Sequence, residues 1–308
     1  MDWSSVQLRS LVELARRGTV TAAAQALGYT PGAVSQQLSA LERAVGVPLL
    51  RRVGRRLELT DAGGALVRHA ERMLEIEAEA VATLERSTTE IAGSLAVGIF
   101  ATAAAEILPL ALGRVEQRHP DLAVRSREMD VDEVYDAVAS GAVDLALGID
   151  YPDVPIRRNP NLRVVRLYRE RFSLATPLAA LDGVELIGIA DTGPLGWILP
   201  PAKSHYGQAV RTVCRRFGVE PDVRHEVTDT AASLALVETG LGVTPVTDLM
   251  LRLRPSRLSV VRLAETFERH IVAIVRTSAE RRPSVAALVG VLRELAADDT
   301  GPGEDPDS

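Results

Sequence analysis

Four arginines fall within six residues, Arg51, Arg52, Arg55 and Arg56. They sit where the pattern predicts two short strands, 49–53 and 57–60, turning at Gly54. A basic hairpin too small to be stable alone has the chemistry to meet phosphate or the minor groove of duplex DNA. Just upstream, Val34, Leu38, Leu41 and Val45 recur at spacings of four, three and four, one apolar stripe on a helix. At about 100° per residue, Gly32, Gln36, Ser39 and Arg43 point away from that stripe, flanked by Ser35 and Gln37. Glutamine bonds bidentately to adenine, serine serves several bases, and a glycine lets the backbone approach phosphate. Taken alone, the same face also describes a solvated helix; its neighbours decide between the two.

Those neighbours are helices. Ser4 caps a first helix carrying Leu8, Leu11, Val12 and Ala15, which ends at Arg16, Arg17 and Gly18. Thr21 is the expected cap of a short Ala-rich helix, 22–27, stopped by Gly28. Thr30 caps the third, with Pro31 at its first position, and Gly46 and Pro48 end it after Val45. Helix, short turn and helix with a polar N-terminal face is a helix-turn-helix, and the hairpin behind it is a wing. Charge agrees: residues 1–60 hold eight arginines against Asp2, Glu13, Glu42 and Glu58, or +4, whereas the whole chain is -6 and the remainder therefore -10. Arginine dominates throughout, Lys203 being the one lysine.

The stretch Gly18-Thr19-Val20-Thr21-Ala22-Ala23-Ala24-Gln25-Ala26-Leu27-Gly28, then Pro31 to Glu42, Gly46, Leu49, Arg52 and Leu59-Thr60-Asp61-Ala62-Gly63, resembles the LysR-type transcriptional regulators. Leu50 stands where that family often has Phe, and Gly32 where a bulkier residue is usual. The resemblance implies that Thr30, Pro31, Ser35 and Gln36 face the groove, with Arg52 and Arg55 in or beside the wing. Together with the residues read from spacing, the expected DNA-binding set is Thr30, Pro31, Gly32, Ser35, Gln36, Gln37, Ser39, Arg52, Arg55 and Arg56.

Residues 61–92 contain no proline and read as one amphipathic helix whose stripe Leu66, Val67, Ala70, Met73, Leu74, Val81 and Leu84 is too narrow for a core of its own. A second copy of the same helix is the expected partner, with packing on its own domain the alternative. The resemblance implies an antiparallel pair between subunits, a homodimer or homotetramer on double-stranded promoter DNA, and RNA polymerase as a further candidate partner.

From Gly93 strands and helices alternate, an α/β pattern with a largely parallel sheet. The resemblance implies a two-lobed, periplasmic-binding-protein-like effector domain over 93–297, with lobe I about 93–166 and 268–297 and lobe II about 167–267. Residues 298–308 read as a disordered acidic tail. The overall class is therefore α/β, with a winged helix-turn-helix over 1–60 and a linker helix over 61–92. Ligands of open α/β sheets sit beyond the carboxyl ends of strands, where helix starts offer free N–H groups to an anion. Thr102 and Ala103, Lys203 and Ser204, and Thr228 are the candidates; each hydroxyl is equally readable as a helix cap. They predict a small anionic or polar effector, and no other cofactor or metal.

Catalytic signatures are missing. His69, His119, His205, His225 and His270 lie far apart, no zinc-protease or nucleophile-elbow motif occurs, and Gly240-Leu241-Gly242 lacks the third glycine of a dinucleotide fingerprint. Cys214, the single cysteine, permits no intrachain disulfide and no Cys-rich metal site. The first residues lack the features of a signal peptide, and no charge-free apolar run reaches membrane-spanning length. A cytoplasmic regulator, not an enzyme, is the expectation; a free solute-binding protein would reverse the pattern, with an export signal and no basic winged domain.

Overall fold

The computed structural model describes residues 3–53, 56–86, 91–156, 159–178, 180–181 and 183–299. Helix α1 (Ser5–Arg17) opens with a reciprocal cap: Ser4 Oγ accepts from the Gln7 N–H while the Gln7 side chain accepts from the Ser4 N–H. Helix α2 (Val20–Leu27) begins two residues earlier than expected, because Thr19 and not Thr21 caps it through the Ala22 N–H. The earlier start lets Val20 pack on the core of this domain. Thr30 caps α3 (Pro31–Val45) through the Ala33 N–H. Strands β1 (Leu50–Val53) and β2 (Arg56–Leu59) pair antiparallel as the wing. The Glu42 carboxylate ties α3 to that wing by accepting from the N–H groups of Leu49 and Leu50 at 2.8 and 3.0 Å.

Leu8, Leu11, Leu14, Val34, Leu38, Leu41 and Leu49 form the buried core of this unit, closed from below by Ala70 of helix α4 (Asp61–Arg86). Entry to α4 is sterically specified. A Cβ on Gly63 would sit 2.1 Å from the Leu49 carbonyl oxygen, so only glycine lets the helix start so close to the wing. Beyond the core, Ile76 and Leu84 of α4 are 61% and 69% exposed. The helix is assigned to Arg86, and Ile91 and Ala92 are not helical, so it is shorter than the expected 61–92; residues 87–90 lie outside the described residues.

The second half begins with β3 (Gly93–Ile99), α5 (Ala101–Glu106), α6 (Leu108–Arg118), β4 (Leu122–Glu128), α7 (Val134–Ser140), β5 (Leu145–Asp150) and β6 (Leu162–Arg171). It continues through β7 (Ser173–Thr176), β8 (Leu186–Ile187), β9 (Gly196–Leu199), α8 (His205–Arg216), β10 (Asp222–Glu226), α9 (Thr230–Glu238), β11 (Thr244–Val246) and α10 (Asp248–Arg252). Strands β12 (Ser259–Leu263) and β13 (Glu268–Arg276) and helix α11 (Pro283–Asp299) complete it. Pro109, in the first turn of α6, separates it from α5, since it has no N–H to continue the ladder.

Lobe I is a five-stranded sheet in the order β4-β3-β5-β13-β6; lobe II pairs β11-β7-β12-β8 and, separately, β10-β9. Both lobes are mixed rather than largely parallel, because β13 returns antiparallel between β5 and β6, and β7 lies antiparallel to both β11 and β12. Strand β6 stays paired with β13 as far as Arg171, so the crossover between lobes follows 171 rather than 166. Helix α11 extends to Asp299, two residues into the expected tail; the rest of 298–308 lies outside the described residues.

Candidate nucleic-acid interface and ligand cleft

On α3 the apolar stripe is inside and the uncharged face outside. Val34, Leu38 and Leu41 are buried, whereas Thr30, Pro31, Gly32, Ser35, Gln36 and Ser39 are exposed and Gln37 is half-buried. The Thr30 hydroxyl is engaged as the cap, which leaves the side chains of Ser35, Gln36 and Ser39 as the polar groups facing outward. Arg43 continues this face one turn on and is exposed. In the wing, Arg52 is exposed and lies opposite Leu57, while Arg51 leans across the hairpin to Glu58 at 3.4 Å. Arg55 and the side chain of Arg56 lie outside the described residues.

Between the lobes is a cleft of about 750 Å³. Thr102, Ser204 and Thr228 all line it. Ala103 and Lys203 do not: one residue's rotation along α5 turns Ala103 into the core, fully buried, and Lys203 stands exposed on the turn before α8. The helix starts are also less open than the strand-end argument expects. Ser204 Oγ accepts from Gly207 N–H and donates to the Pro201 carbonyl. Asp132, reaching across from lobe I, accepts from His205 N–H with both oxygens at 3.1 and 3.3 Å. Asp229, rather than Thr228, caps α9 through the Ala232 N–H. The chain's own carboxylates thus take one N–H at the start of α8 and one at the start of α9, whereas the start of α5 has no side-chain cap.

Other walls of the cleft went unread in the sequence. Arg269 lies behind it, 3% exposed, bonded to Glu170 at 2.7 Å and to the Thr247 hydroxyl at 3.0 Å, with its guanidinium over the Phe172 ring. Buried Tyr151 stacks on Tyr206, ring centroids 5.8 Å apart, and meets His205 edge-on. Burial holds both phenols above the ordinary tyrosine range. Burial likewise raises the Asp132 carboxyl, with Asp130 beside it acting in the same direction. The available signal was position: Asp130 and Asp132 follow the carboxyl end of β4, and Tyr151 that of β5. Arg269 gave none, because its approach depends on the register of β13 with β6.

Cys214 is buried on α8, and burial pushes its thiol up to about 11. No helix among the described residues is long and apolar enough to cross a membrane.

Residues 6–64 match the family model for bacterial regulatory helix-turn-helix proteins of the lysR family, and residues 88–297 match the LysR substrate binding domain. A probable hydrogen peroxide-inducible genes activator of Streptomyces viridosporus is 31% identical over 304 residues, 96% of this chain and 95% of that protein. The HTH-type transcriptional regulator TdfR of Cupriavidus pinatubonensis is 28% identical over 299 residues, 93% and 97% of the two chains. Among solved structures, a hydrogen peroxide-bound cysteine variant of Corynebacterium glutamicum OxyR is 25% identical with a TM-score of 0.59, covering 100% of this chain and 99% of that one. Full-length CbnR in complex with its target DNA is 26% identical with a TM-score of 0.55, covering 95% and 99%. Both halves, reader and sensor, match in the order in which they occur here, and the chain belongs to the LysR family of transcriptional regulators.

Proposed function

We propose that this regulator reads duplex DNA through Ser35, Gln36 and Ser39 of α3, with Gly32 admitting the backbone to phosphate and Arg43 and the wing arginines Arg52, Arg55 and Arg56 anchoring the register. The observation that carries the reading is the exposure of that uncharged face directly opposite a fully buried Val34/Leu38/Leu41 stripe. Base edges are read by short polar side chains on a helix free to enter the major groove, and the arginines add sequence-independent, salt-sensitive affinity. Two such helices need a dimer. The exposed Ile76 and Leu84, together with Ala80 between them at helical spacing, give α4 an apolar strip for the same helix of a second subunit. A pair of dimers on promoter DNA in the cytoplasm, contacting RNA polymerase, completes the assembly.

The interlobe cleft holds the effector, a small polar metabolite contacted by Thr102, Ser204 and Thr228. Its walls combine Met129, Tyr151 and Met250 with convergent polar groups, as ligand sites do. The protein acts by moving DNA-bound subunits and performs no catalysis. Peroxide sensing by a thiol, which the names of two relatives raise, is disfavoured for this chain: its one cysteine is buried and its thiol is protonated at neutral pH. The test is a mobility-shift titration with DNA upstream of the protein's own gene, comparing wild type with Gln36→Ala. Selective binding lost in the variant supports the reading; equal binding of operator and random duplex by wild type contradicts it.

A further inference from the structure

The cleft has a wall that does not come from the sensor. Gln25 and Gly28, at the end of α2 and in the turn that follows it, line it alongside Arg127 and Glu133 of lobe I. Arg127 Nη2 donates to the Ala26 carbonyl at 2.6 Å, and a Cβ on Gly28 would sit 2.6 Å from Arg127 Nη1. The last carbonyls of a helix lack intrahelical donors and favour a cation, so the guanidinium completes α2 while it reaches into the cleft. Behind this contact, Arg17 of α1 approaches Glu133 at 3.7 Å and Asp136 at 4.0 Å. Glu13, fully buried beside Ser140 of α7, is held by Arg16 and Arg17.

We propose that the helix-turn-helix docks in cis as a movable wall of the effector cleft, with Arg127 shared between the Ala26 carbonyl and a hydrogen-bond-accepting group of the ligand. The inference rests on the reading of the cleft as the effector site. A ligand that takes the Arg127 guanidinium removes one tie on α2, and by linkage a released reader changes ligand affinity by the same factor. Docking leaves Ser35, Gln36 and Ser39 exposed. It therefore sets where the recognition helix points, which decides whether two helices in a dimer match their half-sites. The ties are few and partly solvated, weak enough to be broken by one bound molecule.

The experiment places cysteines at two residues lining the same cleft, Gln25→Cys and Glu128→Cys, in the full-length protein and treats it with a short bis-maleimide. Equal amounts of isotopically light and heavy protein are mixed in denaturant and refolded together before reaction, so that mixed dimers form and peptide masses separate links within a chain from links between chains. The expected result is light–light and heavy–heavy pairs only, with a yield that falls at least fivefold when Arg127→Ala is added. Glu133→Gln, which removes the nearer of the two Arg17 ties and leaves Arg127 in place, lowers the yield in the same direction and stands in if Arg127→Ala fails to fold, a failure that labelling of the buried Cys214 reveals. No linked peptide, light–heavy pairs, or a yield indifferent to both substitutions overturns the proposal. Operator titration of the double-cysteine protein before cross-linking reports separately on DNA reading: no operator preference there, with the intrachain link still forming on treatment, counts against the proposed function and leaves the docking standing.

Discussion

Arg269 and Glu170 form an ion pair at 2.7 Å behind the interlobe cleft, with side chains only 4% and 9% exposed. Removing one partner leaves the other charge buried, a cost of about 3–5 kcal/mol, whereas replacing both with apolar groups of similar volume costs far less. Arg269→Met is therefore expected to lower stability by about 3 kcal/mol or more, and Arg269→Met with Glu170→Leu to recover most of it, measured by urea unfolding of the full chain. Equal stability of wild type and the single variant would show that the pair is not buried in solution.

Gly63 sets the junction between wing and linker helix. Gly63→Ala forces the Leu49 carbonyl to move, since the added Cβ would lie 2.1 Å from it. Overpacking of this kind costs about 1–3 kcal/mol, and the loss should appear in the thermal transition of the reader while Gly64→Ala, with open space around its Cβ, remains neutral.

In DNA binding, Gln36→Ala and Arg52→Ala are expected to act differently. The first costs about 1–3 kcal/mol at the operator and little on random duplex, because a base contact carries discrimination. The second weakens both and reduces the slope of log affinity against log salt by about 1. Titrations at three salt concentrations separate the two behaviours; identical profiles would mean that Gln36 touches phosphate only.

Thiol chemistry gives a clean negative prediction. With its thiol pKa near 11 and its side chain buried, Cys214 should resist alkylation and peroxide at pH 7.5 in the native protein and react only on unfolding. Mass spectrometry reads both, and operator affinity should be the same before and after peroxide. Rapid native labelling would reopen thiol sensing.

The reader was legible in the sequence because its signals are local: caps at Ser4 and Thr30, Pro31 at the first position of α3, and a 3.6-residue period that separates Val34 from Gln36. The exception, Thr19 in place of Thr21, exchanges one good cap for another and goes with the packing of half-buried Val20 against the core, a tertiary matter. The sensor was less legible. Strand β6, with Arg163, Arg166, Arg169 and Arg171, hides an edge strand behind charge, and its pairing with β13 joins residues about a hundred positions apart. The cleft inherits that difficulty: strand ends located Thr102 and Thr228, but helix phase excluded Ala103, and the docked α2 that supplies Gln25 lies on no strand end.

The most direct test of the account is a quantitative titration of the purified dimer, at fixed salt, against DNA upstream of its gene and against random duplex of equal length, with Ser35→Ala/Gln36→Ala alongside. Wild type is predicted to prefer the upstream fragment by about a thousandfold or more, and the double variant to lose most of that preference while keeping its affinity for random DNA. Equal affinity of wild type for the two fragments, or undiminished preference in the variant, would contradict the assignment of the outward face of α3 as the reading surface.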